Sequence, residues 1–250
     1  MAGFSVGIPN DSDARIAGTI RLDDVSLLPK APPASDGGLT PNPAVMEARR
    51  AVEANPTDAR AHLKLALAYW DSGQQRQAYE SLLKAAGLAD PNDREFFLTA
   101  AKEFYQREAW VAAGTMYVRV IQTLPADEPT PPEIEEPFHE SVYKAAEDSN
   151  MPLLLPFDRV AEQGRDRPMA LVAQGRHALY QNETAQANDY LTQAKSLNPD
   201  MPELVLFEAE IRYKEGKMDE AKRLLNSLLA DENISAWIRQ LAKDYLFQYL

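Results

Sequence analysis

Small residues and large apolar residues return along this chain in a fixed order. Small residues stand at Ala66, Ala101, Gly175 and Ala209, and again at Ala78, Ala113, Ala187 and Ala221. Large apolar residues follow at Leu82, Tyr117, Leu191 and Leu225. Each series is spaced by 35, 74 and 34 residues, so the long gap holds two periods and a short excess. A period of this length marks a helical repeat array, in which one supersecondary unit shelters the next. Within the units, apolar residues recur at the helical spacing. The pattern predicts helix pairs over about Ala59–Asp71 with Gln75–Leu88, and Asp93–Gln106 with Ala109–Thr123. Two more pairs are predicted at Pro168–Gln181 with Thr184–Leu197, and Pro202–Glu215 with Met218–Leu229. A helix from Pro43 to Glu53 precedes them and stops before Asn55-Pro56, because the residue before a proline disfavours the helical region. A last helix, Ser235–Tyr249, closes the chain.

Two stretches depart from the pattern. Residues 1–43 are rich in Pro, Gly, Ser and Asp, and bury too little apolar area to offset the entropy of ordering. They read as an arm that is flexible or bound to a partner. Ile16 to Leu28 is more apolar, and is either a short strand, an extended docked peptide or part of an unstructured leader. Residues 126–167 form an acidic, Pro-rich insertion. Pro129, Pro131, Pro132 and Pro137 rule out a helix through its first dozen residues. A helix from Phe138 to Asp148, the segment Met151–Pro156, and a shorter helix from Phe157 to Gln163 follow. That length accommodates one divergent helix pair.

Composition narrows the chemistry. At 45% apolar and 26% charged, the 250 residues suit a folded globular chain. Nothing approaches the roughly 18 apolar residues that span a bilayer, and Met1 to Thr19 lacks the pattern of a secretory signal. A cytoplasmic protein without membrane insertion is expected. With no cysteine there is no disulfide, thiolate catalysis or cysteine-bound metal. A net charge of -12 argues against nucleic acid, which needs a basic face. The insertion holds eleven acids and four bases, and is either a docking surface for a basic partner or a solvated helix face.

The helix pairs resemble the tetratricopeptide repeat. The first unit carries Leu65-Ala66, Tyr69, Gly73 at the turn, then Ala78, Leu82, Ala85 and Pro91. The second carries Ala100-Ala101, Phe104, Ala113, Tyr117, Val120 and Pro125, with Glu108 at the usual turn glycine. The third has Gly175, Ala178, Ala187, Leu191, Ala194 and Pro199, with Asn182 at the turn. The fourth has Ala209, Gly216, Ala221, Leu225 and Leu228, and lacks the proline. The slots also have a physical reading: a small residue lets two helix axes approach within about 8–10 Å, and a large one opposite fills the gap.

The resemblance implies an all-α, right-handed α-solenoid of helix-turn-helix repeats with an extended N-terminal arm and a C-terminal capping helix. The expected layout is an arm (1–43), a helix and two units (44–125), the insertion (126–167), two units (168–230) and the cap (231–250). In the cap, Ile234, Ile238, Leu241 and Tyr245 are spaced to cover the last pair. The family's first helices line a concave groove. Carried onto this chain, its slots fall at Leu63, Leu67 and Trp70, then Leu98, Lys102 and Tyr105. The later units add Val172, Arg176 and Tyr180, then Phe207, Glu210 and Tyr213. Leu63 and Leu67 exclude the basic clamp with which some relatives hold the acidic tails of heat-shock chaperones. Trp237, Phe247 and Leu250 exceed what one buried helix face needs, and form a possible second interface.

No catalytic, cofactor or metal site is expected. His62, His139 and His177 lie in separate elements without metal spacing, and no phosphate loop or nucleophile elbow occurs. The expected function is a non-catalytic scaffold or adaptor that binds a peptide or helix of a partner protein in the groove. The alternatives are a structural subunit or assembly factor of a larger complex, and an enzyme or regulator whose site the sequence does not reveal.

Overall fold

The computed structural model describes residues 42–125, 128–147 and 167–248, and every regular element among them is a helix. In order these are α1 (Pro43–Ala54), α2 (Ala59–Asp71), α3 (Gln75–Leu88), α4 (Arg94–Tyr105), α5 (Trp110–Gln122) and α6 (Pro132–Ala145). After the second gap come α7 (Arg167–Tyr180), α8 (Thr184–Leu197), α9 (Pro202–Lys214), α10 (Met218–Ala230) and α11 (Ala236–Gln248). Residues 1–41 of the arm, Met151–Pro156 and the helix expected from Phe157 to Gln163 lie outside the described residues.

Side chains set several helix starts. Asn42, Asp58 and Asp93 accept from the backbone N–H of Ala44, Arg60 and Phe96 at the starts of α1, α2 and α4. These carboxylate and amide oxygens satisfy donors that have no partner inside the helix. Pro43, Pro132 and Pro202 occupy first-turn positions of α1, α6 and α9, where a missing N–H costs little.

The four helix pairs turn in one way. Gly73, Glu108, Asn182 and Gly216 all have positive φ, at 76°, 55°, 64° and 77°. The residue after each donates its N–H back across the turn: Gln74 to Tyr69, Ala109 to Phe104, Glu183 to Ala178, and Lys217 to Arg212, at 2.8–3.0 Å. Each turning residue also donates to the carbonyl three residues earlier, on Trp70, Tyr105, Leu179 and Tyr213. This is the Schellman closure, which ends a helix and reverses the chain.

One expectation is overturned. A helix does start within the proline-rich dozen, because α6 begins at Pro132 and contains Pro137. Pro131 and Pro132 sit at the helix start, and Pro137 falls in the second turn. There it forfeits one backbone bond, while Ser141 Oγ donates to its carbonyl at 2.6 Å. Burial of Ile134, Phe138, Val142 and Ala145 along one face outweighs that loss.

Packing follows the repeat. α2 pairs with α3, α4 with α5, α7 with α8, and α9 with α10; α6 joins α5 to α7, and α11 closes against α9 and α10. The described residues thus form an all-α repeat solenoid. Ala66, Ala101, Ala209, Ala78, Ala113, Ala187 and Ala221 are fully buried, as the period requires. One apolar core runs from Leu63 to Tyr245, and a smaller one ties Val45 and Ala48 of α1 to Leu65, Tyr69 and Ala78. In α11, Ile234 just before the helix, Ile238 and Tyr245 are buried and Leu241 is half-buried. No helix among the described residues is long and apolar enough to cross a membrane.

Candidate functional site

Residues one repeat apart meet across neighbouring first helices. Arg176 on α7 is fully buried, and its Nε and Nη2 donate to Glu210 of α9 at 2.8 and 2.7 Å. Nη2 also reaches Tyr245 Oη of α11 at 3.1 Å and Glu147 Oε1, beyond α6, at 3.2 Å. Nη1 donates to the Tyr143 carbonyl, and the guanidinium lies 3.7 Å from the Tyr143 ring centroid. Tyr245 in turn donates to Glu210. A ladder of Tyr143, Arg176, Glu210 and Tyr245 thus crosses four helices.

Electrostatics keep Arg176 charged and Tyr245 neutral. Burial opposes the charge on Arg176, but Glu210 overrides it and holds the guanidinium well above its ordinary range. Burial, then the Glu210 carboxylate against the opposing Arg176 charge, pushes the Tyr245 phenol far up. Tyr180 is raised in the same way, with Glu147 contributing. These phenols stay neutral and can donate. Above the ladder is a pocket of about 170 Å³, walled by Leu179, Tyr180, Tyr213 and Lys214, with Glu210 and Tyr245 at its base.

A second group forms at the N-terminal units. Tyr105 of α4 donates to Glu140 of α6, and its phenol is raised by burial and then by that carboxylate. Tyr117 is pushed up to about 12 by burial and by the Glu140 charge. Glu140 also holds Lys144 Nζ at 2.7 Å. The rings make edge contacts, Tyr105 with Trp110 at 5.6 Å and Trp70 with Tyr79 at 5.7 Å between centroids. A cleft of about 340 Å³ opens between Trp70, Tyr79, Trp110, Glu108, Lys144 and Glu147.

The expected groove residues divide into two sets. Trp70, Tyr105 and Tyr213 are half-buried, Tyr180 is 42% exposed, Leu67 and Leu98 are half-buried, and Lys102 is exposed. Leu63, Val172 and Phe207 are buried in the core and Arg176 is enclosed in the ladder, so these four present no free surface. Glu210 shows only an edge to the smaller pocket. The correction has a geometric reason. Adjacent units close over the flank of each first helix, so only part of its groove-side stripe stays open. Trp237 is likewise withdrawn from the second interface: it is buried, its ring 5.6 Å from Tyr143. Phe247 is 82% exposed, and Leu250 lies outside the described residues.

Tyr79, Trp110, Lys144 and Glu147 were not among the expected site residues. Tyr79 and Trp110 belong to second helices, which the groove rule passes over, and α6 was obscured by its prolines. Tyr245 was expected only as an apolar cap residue, although its 35-residue distance from Glu210 is the repeat spacing. The three histidines have structural partners: His62 contacts the Pro56 carbonyl, His139 contacts Glu203, and His177 contacts the Ala146 carbonyl.

Family models described as tetratricopeptide repeat match residues 39–96 and 178–239. The first match spans α1 to α3 and the start of α4, and the second runs from the end of α7 into α11. No curated protein matches the sequence.

Proposed function

Since the chain belongs to the tetratricopeptide repeat family, we propose that it is a non-catalytic scaffold or adaptor that binds a segment of a partner protein along its first helices. Repeats of this family generally mediate protein–protein interaction. The observation that carries the reading is a set of partly exposed rings on the first helices: Trp70 lines one pocket, Tyr180 and Tyr213 line another, and Tyr105 packs edge-on against Trp110. Rigid aromatic side chains beside pockets supply contact area at little entropic cost, which is what a peptide anchor needs. At the C-terminal units, Arg176 of the buried ladder lies 5.7 Å from the Tyr180 ring centroid, and Glu210 lines the same pocket as Tyr180 and Tyr213.

The test is affinity capture from native extract, comparing the wild-type chain with a Trp70→Ala, Tyr105→Ala, Tyr213→Ala variant. The variant is first shown by circular dichroism to keep its helix content. Loss of the captured proteins supports the groove. Equal capture by the folded variant removes it and leaves the ends of the stack as binding surfaces.

A further inference from the structure

The N-terminal cleft has the chemistry of a cation site. Three of its walls are aromatic, Trp70, Tyr79 and Trp110. The face of an indole attracts ammonium and guanidinium groups through its quadrupole. One such contact is already present: Lys144 Nζ lies 4.2 Å from the Trp110 ring centroid. That lysine does not leave the cleft positive, because Glu140 holds it at 2.7 Å. Two acidic residues, Glu108 and Glu147, also line the cleft. Glu147 is half exposed while it contacts Arg176. Among the described residues Glu108 makes no ion pair.

The position of Glu108 adds to this. It holds the positive-φ turn that Gly73 and Gly216 occupy in other units. A side chain there is strained relative to a residue in the right-handed region. Such strain is commonly retained where a side chain has a task. Here it puts Glu108, which has no ion-pair partner among the described residues, in the lining of the cleft with Trp70 and Trp110. With a net charge of -12, the chain also steers basic segments toward itself.

We propose that the Trp70–Tyr79–Trp110 cleft takes an arginine or lysine side chain from a basic segment of a partner protein. This rests on the scaffold reading above and names the chemistry of the partner. Glu108 and Glu147 pair with the incoming cation, and the rings receive its flat or methylene surface.

The test titrates a hexa-arginine peptide into the full chain and follows tryptophan fluorescence and heat. Hexa-glutamate serves as the opposite-charge probe. Hexa-arginine binds and hexa-glutamate does not. Glu108→Gly, which relaxes the turn and leaves the fold at least as stable, weakens binding about three- to tenfold, as does Trp110→Leu. Glu232→Gln removes one exposed charge near α11 and changes the affinity less than about twofold. Equal weakening by Glu108→Gly and Glu232→Gln overturns the proposal, since it assigns binding to overall charge. So does hexa-glutamate binding, or hexa-arginine binding that ignores both cleft variants. Excess hexa-arginine is also added to the capture experiment. Capture that resists the peptide yet is lost in the triple aromatic variant overturns the basic side chain alone. Capture that also survives in the triple variant removes the groove.

Discussion

Gly175 is clamped between neighbouring units. A Cβ built on it would run into Phe207 Cζ and stand 2.9 Å from Tyr190 Cβ. Phe207 is fully buried and has nowhere to swing, so the repeat's small slot here admits glycine but not alanine. Gly175→Ala is expected to lose about 1–3 kcal/mol by overpacking, read as a lower midpoint in urea unfolding. An unchanged midpoint would show that α7 and α9 separate more easily than the packing indicates. Next to it, Arg176 poses the opposite problem. Removing the cation leaves Glu210 buried without its partner, and Arg176→Met should cost about 3–5 kcal/mol. Replacing both members removes the stranded charge, so Arg176→Met with Glu210→Leu should be more stable than Arg176→Met alone. A double variant that unfolds as readily as the single one would mean the ladder acts through Tyr143 and Tyr245 more than through the ion pair.

At the scale of the element, the repeat is a helix pair whose ends are chemically set. Asp93 opens α4 by accepting from the Phe96 N–H at 2.9 Å, and Asp93→Ala is expected to lose about 1 kcal/mol in thermal unfolding. The pairs were legible because their information is local. Apolar spacing, the turn residues Gly73, Glu108, Asn182 and Gly216, and the small slots all recur in phase. What escaped was set by tertiary contact. In α6, burial of Phe138 and Val142 outweighed Pro137, and no local rule reveals a partner surface. The site was less legible for a related reason. A groove position in sequence says which side of a helix a residue stands on, whereas the closeness of the next unit decides whether it is open. Trp70 and Tyr213 stayed accessible; Val172 and Phe207 did not. Trp110 and Tyr79 reach the cleft from second helices, and only the folded chain shows them meeting Trp70.

At the scale of the molecule, stability in a stack is a sum of units and the interfaces between neighbours. The described helices couple those interfaces through phenols that must remain neutral. Tyr105 of α4 and Tyr117 of α5 share the Glu140 charge of α6, while Tyr180 and Tyr245 lie around the Arg176 ladder. In all four, burial raises the pKa above the ordinary value near 10. The folded chain therefore holds protons that the unfolded chain releases in alkali. Their contribution is complete below pH about 10 and is lost as pH rises toward the folded values, about 12 for Tyr117 and higher for the others. The melting temperature should change little from neutral pH to about 9, then fall steeply above about 10. Lysine titration adds to this fall, so the comparison that isolates the phenols is Tyr245→Phe. This variant cannot ionise at that position and loses the bond to Glu210. It should melt lower than wild type near neutrality, yet decline less steeply above pH about 10. Parallel curves for the two proteins would mean that Tyr245 ionises without breaking the ladder, and that the α7–α9–α11 interface does not depend on its proton.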